Sequence, residues 1–93
     1  MDKYETGLKI QEIERLYHAN KYRAAAELAK EIDWPRVKMW EPLAMMIDIH
    51  EHLDEYEEAR DMAILAYNRN LGGKRLLFRL TDLFIQDAEA RRY

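Results

Sequence analysis

The sequence contains no cysteine and no serine. Without cysteine, no disulfide staples the chain and no thiol reacts. Without either residue, serine and cysteine nucleophiles are both excluded, which removes most covalent hydrolase mechanisms. Two prolines and three glycines leave little room for long loops. Valine and threonine are scarce and no long alternating run occurs, so strand signals are poor. The longest uninterrupted apolar runs are only a few residues. That gives no signal peptide and no membrane span, and it points to a cytoplasmic location. An excess of basic residues is also missing, since the net charge is −3. A broad nucleic-acid footprint needs clustered lysine and arginine, so nucleic acid is not expected as a partner. Lys74-Arg75 and Arg91-Arg92 read as solvated helix ends.

What is present suits one helical domain. The 93 residues are 48% hydrophobic and 35% charged. A chain of that size buries a modest core. Displaced by 34 residues, the sequence meets itself: Tyr22 falls on Tyr56, Ala25 on Ala59, Ala29 on Ala63, Ile13 on Ile47 and His18 on His52. A period in this range signals stacked supersecondary units. Each unit is expected to be a helix, a turn and a second helix. Tyr22 and Tyr56 can plug the corner between paired helices. The alanines three and seven residues later share one face and let two backbones come close. Ile13 and Leu16, and then Leu43, Met46, Ile47 and Leu53, supply the larger apolar groups of the first helices.

These residues resemble the tetratricopeptide repeat. The segment Leu53 to Ala59, followed by Ala63 and Ala66, is similar to the most characteristic part of that family, and Ala19 to Ala25 with Ala29 forms a weaker copy. The pair expected in the first helix is degenerate, as Leu43 with Met46 and Ile47, and the usual inter-repeat proline is replaced by Val37 and Leu71. The joint around Ile32 to Lys38 is similar to that of longer bacterial tetratricopeptide proteins. The resemblance covers roughly residues 6–86. It implies an all-α solenoid of stacked antiparallel hairpins, with repeat one at about 6–39, repeat two at about 40–73 and a partial third repeat at 74–93.

Along the chain, residues 1–5 read as a frayed leader, with Thr6 capping a helix over 7–19. A second helix is expected from Tyr22 to Ile32, ended by Pro35. A third starts near Met39 or Trp40, with Pro42 in its first turn, and runs to His52 or Leu53. Asp54 and Glu57 suggest a capping-box-like start for a fourth helix ending near 68–70, with Gly72 and Gly73 as stop residues. A fifth begins near Lys74. Asp87 to Tyr93 reads as the opening of a sixth helix, a short stub. Because stacked repeats cover their apolar faces, the apolar fifth helix implies either a fragment of a longer array or an end that pairs with another molecule.

The resemblance also implies that the first helices of successive repeats line a concave groove. By alignment this places Ile10, Glu14, Tyr17 and His18 there, then Ala44, Asp48, Glu51 and His52, then Arg75, Phe78, Asp82 and Ile85. The spacing i, i+4, i+7, i+8 in the first two sets supports a common face. Glu14, Asp48 and Asp82 form an acidic column. Family members that clamp acidic chaperone tails use lysine and asparagine where this chain has Ile10 and Glu14, so such tails are not expected. A basic or amphipathic peptide is favoured. The competing reading is that these carboxylates only solvate an exposed face.

His18 and His52 lie beside that column, but His50 and His52 lack the spacing of a helical metal pair, so no metal is expected. Trp34 and Trp40 are expected to pack the joint, and Met39, Met45, Met46 and Met62 to fill gaps. Gly72-Gly73-Lys74 is not a phosphate loop, since Asn68 and Arg75 stand where a glycine and a hydroxyl residue belong. No cofactor and no catalysis are expected. The sequence therefore points to a protein-interaction module using Glu14, Tyr17, His18, Asp48, Glu51, His52, Arg75, Phe78 and Asp82. A second reading has the C-terminal helix drive self-association or pack on the rest of a longer protein.

Overall fold

Five α-helices and one short 3₁₀ turn account for the regular structure, and no strand occurs among the described residues. The computed structural model describes residues 2–91. The helices are α1 (Lys3–His18), α2 (Tyr22–Ala29), α3 (Trp40–His52), α4 (Tyr56–Asn68) and α5 (Gly73–Ala90), with the 3₁₀ turn at Trp34–Arg36. Each helix packs on the next in the chain, and α1 also touches α3. The Cα radius of gyration is 13.1 Å. A compact domain of this length has about 12 Å, so the packing is close.

The three helix-to-helix corners share one device. Ala19, Leu53 and Arg69 end their helices, and the next residues, Asn20, Asp54 and Asn70, take φ of 60°, 56° and 58°. The amide of each bonds three residues back, and the amide after it bonds five residues back: Lys21 to Leu16, Glu55 to His50 and Leu71 to Ala66. This is the paired bonding that satisfies orphan carbonyls at a helix end. Asparagine and aspartate tolerate the left-handed region better than other side-chain-bearing residues. In both hairpins the corner tyrosine adds a clamp. Tyr22 Oη donates to Asn20 Oδ1 and Tyr56 Oη donates to Asp54 Oδ1, each at 2.9 Å.

The alanine rule holds in full: Ala25, Ala29, Ala59, Ala63 and Ala66 are buried beside Ile13, Leu43, Met46, Ile47 and Ile49. Trp34 is buried with its Nε1 donating to the Ala29 carbonyl at 3.0 Å, and Trp40 is half-buried on the same core. Arg69 donates to the Val37 carbonyl and so ties the joint to the end of α4.

Several expectations are corrected. The first helix starts at Lys3, not Gly7, because Asp2 rather than Thr6 caps it, accepting from the Glu5 amide at 2.8 Å. Residues 3–5 are thus helical rather than a loose leader. The second helix stops at Ala29, since Pro35 sets up the 3₁₀ turn rather than a direct helix end. Asp54 does not cap α4: it sits in the left-handed region, Glu55 holds the cap position, and no side-chain capping bond forms. Gly72 and Gly73 open α5 instead of closing α4. No sixth helix begins at Asp87, because α5 runs unbroken to Ala90; Arg92 and Tyr93 lie outside the described residues. Met39 fills no gap, being 62% exposed.

Candidate functional site

Three helices contribute to one continuous polar face. Tyr17 on α1 donates its hydroxyl to Asp48 on α3 at 2.5 Å. Arg79 on α5 reaches the same Asp48 at 3.6 Å and Glu51 at 2.9 Å. These contacts tie α1, α3 and α5 side chain to side chain. His52 lies 3.4 Å from Asp48 within α3, and His18 lies 3.8 Å from Glu14 within α1. The His52 ring stacks on Tyr22 at 4.2 Å with only 5° between planes. Tyr22 in turn meets Tyr17 edge-on at 6.0 Å, and Tyr17 lies 5.2 Å from the His18 ring.

Most of the residues picked from sequence do come together. Tyr17, Asp48, Glu51 and His52 form the centre, with Glu14 and His18 beside them on α1. Arg75 and Asp82 line a cleft of about 460 Å³ with Trp40, Glu51, Gly72, Arg79 and Gln86. Phe78 is not among the lining residues of that cleft and is 74% exposed.

Two participants were missed. Arg79 aligns with the core position Met45 in the 34-residue register, so the repeat pattern conceals it. Its own helix reveals it, since Arg75, Arg79, Asp82 and Gln86 follow i, i+4, i+7, i+11. Tyr22, the corner residue of the first repeat, also floors His52. Arg79 changes the electrostatics of the face. Two of the four carboxylates expected to make the groove acidic share its guanidinium, so the outward negative charge lies more on the exposed Glu14 and Asp82.

No family model, curated protein or solved structure matches this chain. No cluster of three or more histidine, aspartate or glutamate side chains is placed to hold a metal among the described residues. Among the described residues, no helix is long and apolar enough to cross a membrane.

The Tyr17 hydroxyl is held in its protonated form. The hydrogen bond to Asp48, followed by partial burial, pushes its pKa up to about 12 from the ordinary 10. A deprotonated Tyr17 would face the Asp48 carboxylate. The raised value means that the native state holds its proton more tightly than the unfolded chain. The stabilisation is therefore complete below pH 10 and is lost as pH rises through 12. Tyr17→Phe should cost about 1–2 kcal/mol at neutral pH, read by urea denaturation, and should flatten the fall in stability between pH 10 and 12. A variant with the parent's alkaline profile would show that the bond between α1 and α3 contributes nothing.

On the opposite side, His50 Nδ1 and Arg23 both lie 3.0 Å from the Glu55 carboxylate. Burial pushes the Glu55 pKa up, but these two hydrogen bonds outweigh it and hold the carboxyl below its usual range. This cluster joins α2 to the corner before α4 and reads as a structural latch.

Proposed function

We propose that the chain is a non-catalytic protein-interaction module of the tetratricopeptide kind, a short solenoid whose α1, α3 and α5 present one groove to a basic or amphipathic peptide or helix. The observation that carries the reading is the side-chain chain Tyr17–Asp48–Arg79–Glu51, which runs across three helices that are not consecutive in sequence. A face continuous over alternate helices is what an extended ligand needs. The exposed carboxylates Glu14 and Asp82 lie towards its two ends and supply charge for a cationic partner. Opposite charge steers encounter and selects partners more than it adds affinity. A face this short supports roughly micromolar binding, about −8 kcal/mol.

The test uses a defined probe, a fluorescein-labelled 18-residue amphipathic helix with lysines on one face and leucines on the other. Fluorescence anisotropy should give roughly micromolar affinity that weakens as salt is raised. The paired variant Glu14→Lys with Asp82→Lys should lose about tenfold, while circular dichroism stays unchanged. Asp48 and Glu51 are left intact because Tyr17 and Arg79 depend on them. Failure of the parent to bind, or equal binding by the variant, overturns the groove reading.

A further inference from the structure

Phe78 and Ile85, expected in the groove, instead lie beside it on the outward face of α5, one turn either side of Asp82 and outside the cleft lining. Leu77, Phe78, Phe84 and Ile85 are 48%, 74%, 49% and 52% exposed. With Thr81 they follow i, i+1, i+4, i+7, i+8, which gathers them on one stripe. Four large apolar groups within about 12 Å of helix form a patch that a lone domain does not ordinarily leave uncovered. An apolar stripe of this length along one helix fits a second helix laid against it.

We infer that the helix is α5 of a second copy: two chains dock through this stripe, antiparallel, about a two-fold axis at Thr81. The stripe is a palindrome in residue class. Counting outward from Thr81, Phe78 mirrors Phe84 and Leu77 mirrors Ile85. An antiparallel partner therefore brings Phe84 and Ile85 to the end where the first copy offers Leu77 and Phe78, and the reverse at the other end. Such self-complementarity is what a two-fold interface requires. The small residue falls on the axis, where two helices come closest. Its hydroxyl donates to the Leu77 carbonyl at 3.0 Å, so it needs no partner in a dry contact.

Charge agrees with this orientation. Lys74 and Glu89 lie seven residues before and eight residues after Thr81, on the same flank of the stripe. Antiparallel docking sets each Lys74 near the other copy's Glu89. A parallel pair would set like against like. Phe84 is braced for the contact, with the Arg60 guanidinium 5.5 Å from its ring centre. The outer face of α1 is a poorer occupant. It exposes only Tyr4 and Leu8 as large apolar groups and carries the Glu12–Arg15 ion pair. A single helix stripe sits at the small end of specific interfaces, so the dimer should dissociate at roughly 10–100 µM.

Sedimentation equilibrium of the 93-residue chain tests this across that range. The mass should rise from 11.2 kDa towards twice that value and no further. Thr81→Asp puts two like charges on the axis and should weaken the dimer at least tenfold, with unchanged circular dichroism. Lys74→Glu and Glu89→Lys should each weaken it roughly fivefold. An equimolar mixture of those two variants should recover parental affinity, because each copy then supplies the charge the other lacks. A monomer throughout, assemblies that grow beyond two copies, indifference to Thr81→Asp, or a mixture no stronger than its components would each overturn the proposal. A failed groove experiment leaves this one standing, since sedimentation of the parent chain reads self-association without the peptide probe and without the Glu14 and Asp82 variants.

Discussion

Arg60→Ala should destabilise the fold by about 3 kcal/mol and lower the urea midpoint by roughly 2 M. The reason is Asp87. It is the one charged side chain buried among the described residues, 8% exposed on α5. Arg60 on α4 meets it at 2.5 Å, and Arg91 approaches at 3.3 Å from the exposed end of the same helix. Burying a carboxylate is costly unless a partner replaces the water it has lost. Removing Arg60 leaves Arg91, which is 60% exposed at its side chain and screened. The same change strips the cation from beside Phe84. The double variant Arg60→Ala with Asp87→Leu should recover most of the loss, because the cost lies in the orphaned charge rather than in the missing bond. If Arg60→Ala costs less than about 1 kcal/mol, the pair behaves as an ordinary surface ion pair and α5 is held by apolar packing alone.

Gly72→Ala should cost about 2–5 kcal/mol, by strain and by collision together. Gly72 has φ of +81° at the start of α5, a conformation L side chains rarely adopt. A Cβ there would meet Trp40 ring carbons at 2.8 and 2.9 Å and Leu76 Cβ at 2.9 Å. Leu76 does not yield easily, since it is 1% exposed in the core and the contact is to its Cβ rather than its tip. The neighbouring Gly73 gives the control. It also has positive φ, +59°, but nothing lies within 4 Å of a Cβ there. Gly73→Ala should cost only the strain, about 1–2 kcal/mol. Equal losses at the two positions in thermal denaturation would remove the Trp40 contact from the account.

The helical hairpins were legible because their signals are local and doubled. Tyr22 and Tyr56, with alanines three and seven residues later, specify a corner followed by a close helix pair, and the structure buries those alanines as the spacing requires. The two tryptophans pack the joint as expected. The boundaries were less legible, because capping choices are nearly degenerate in energy. Asp2 and Thr6 both suit a helix start, and sequence alone does not choose between them. Asp54 suits an N-cap and a left-handed C-terminal residue equally, and its tyrosine bond settles it in the second role. Of the candidate site, Tyr17 and Asp48 were found by register on a common face. Arg79 was not, because α5 turns a different side to its neighbours than the 34-residue register assigns. Leu76 and Leu83 are buried there, while Leu77 faces out. With no sixth helix packed against it among the described residues, α5 settles by its own burial.

Helix contacts between consecutive neighbours also shape how the chain folds. Most of the packing joins segments adjacent in sequence, α1 with α2, α3 with α4 and α4 with α5. Native topology of that kind asks for little loop closure before contacts begin to reward it, and it favours rapid folding. Each hairpin can form around its own corner, with Asn20 or Asp54 already disposed to reverse the chain. α5 packs chiefly on α4 alone, so a single helix face holds most of it. The helix that bears the exposed apolar stripe is thus held chiefly from one side, and a second copy bound along the stripe would hold it from the other.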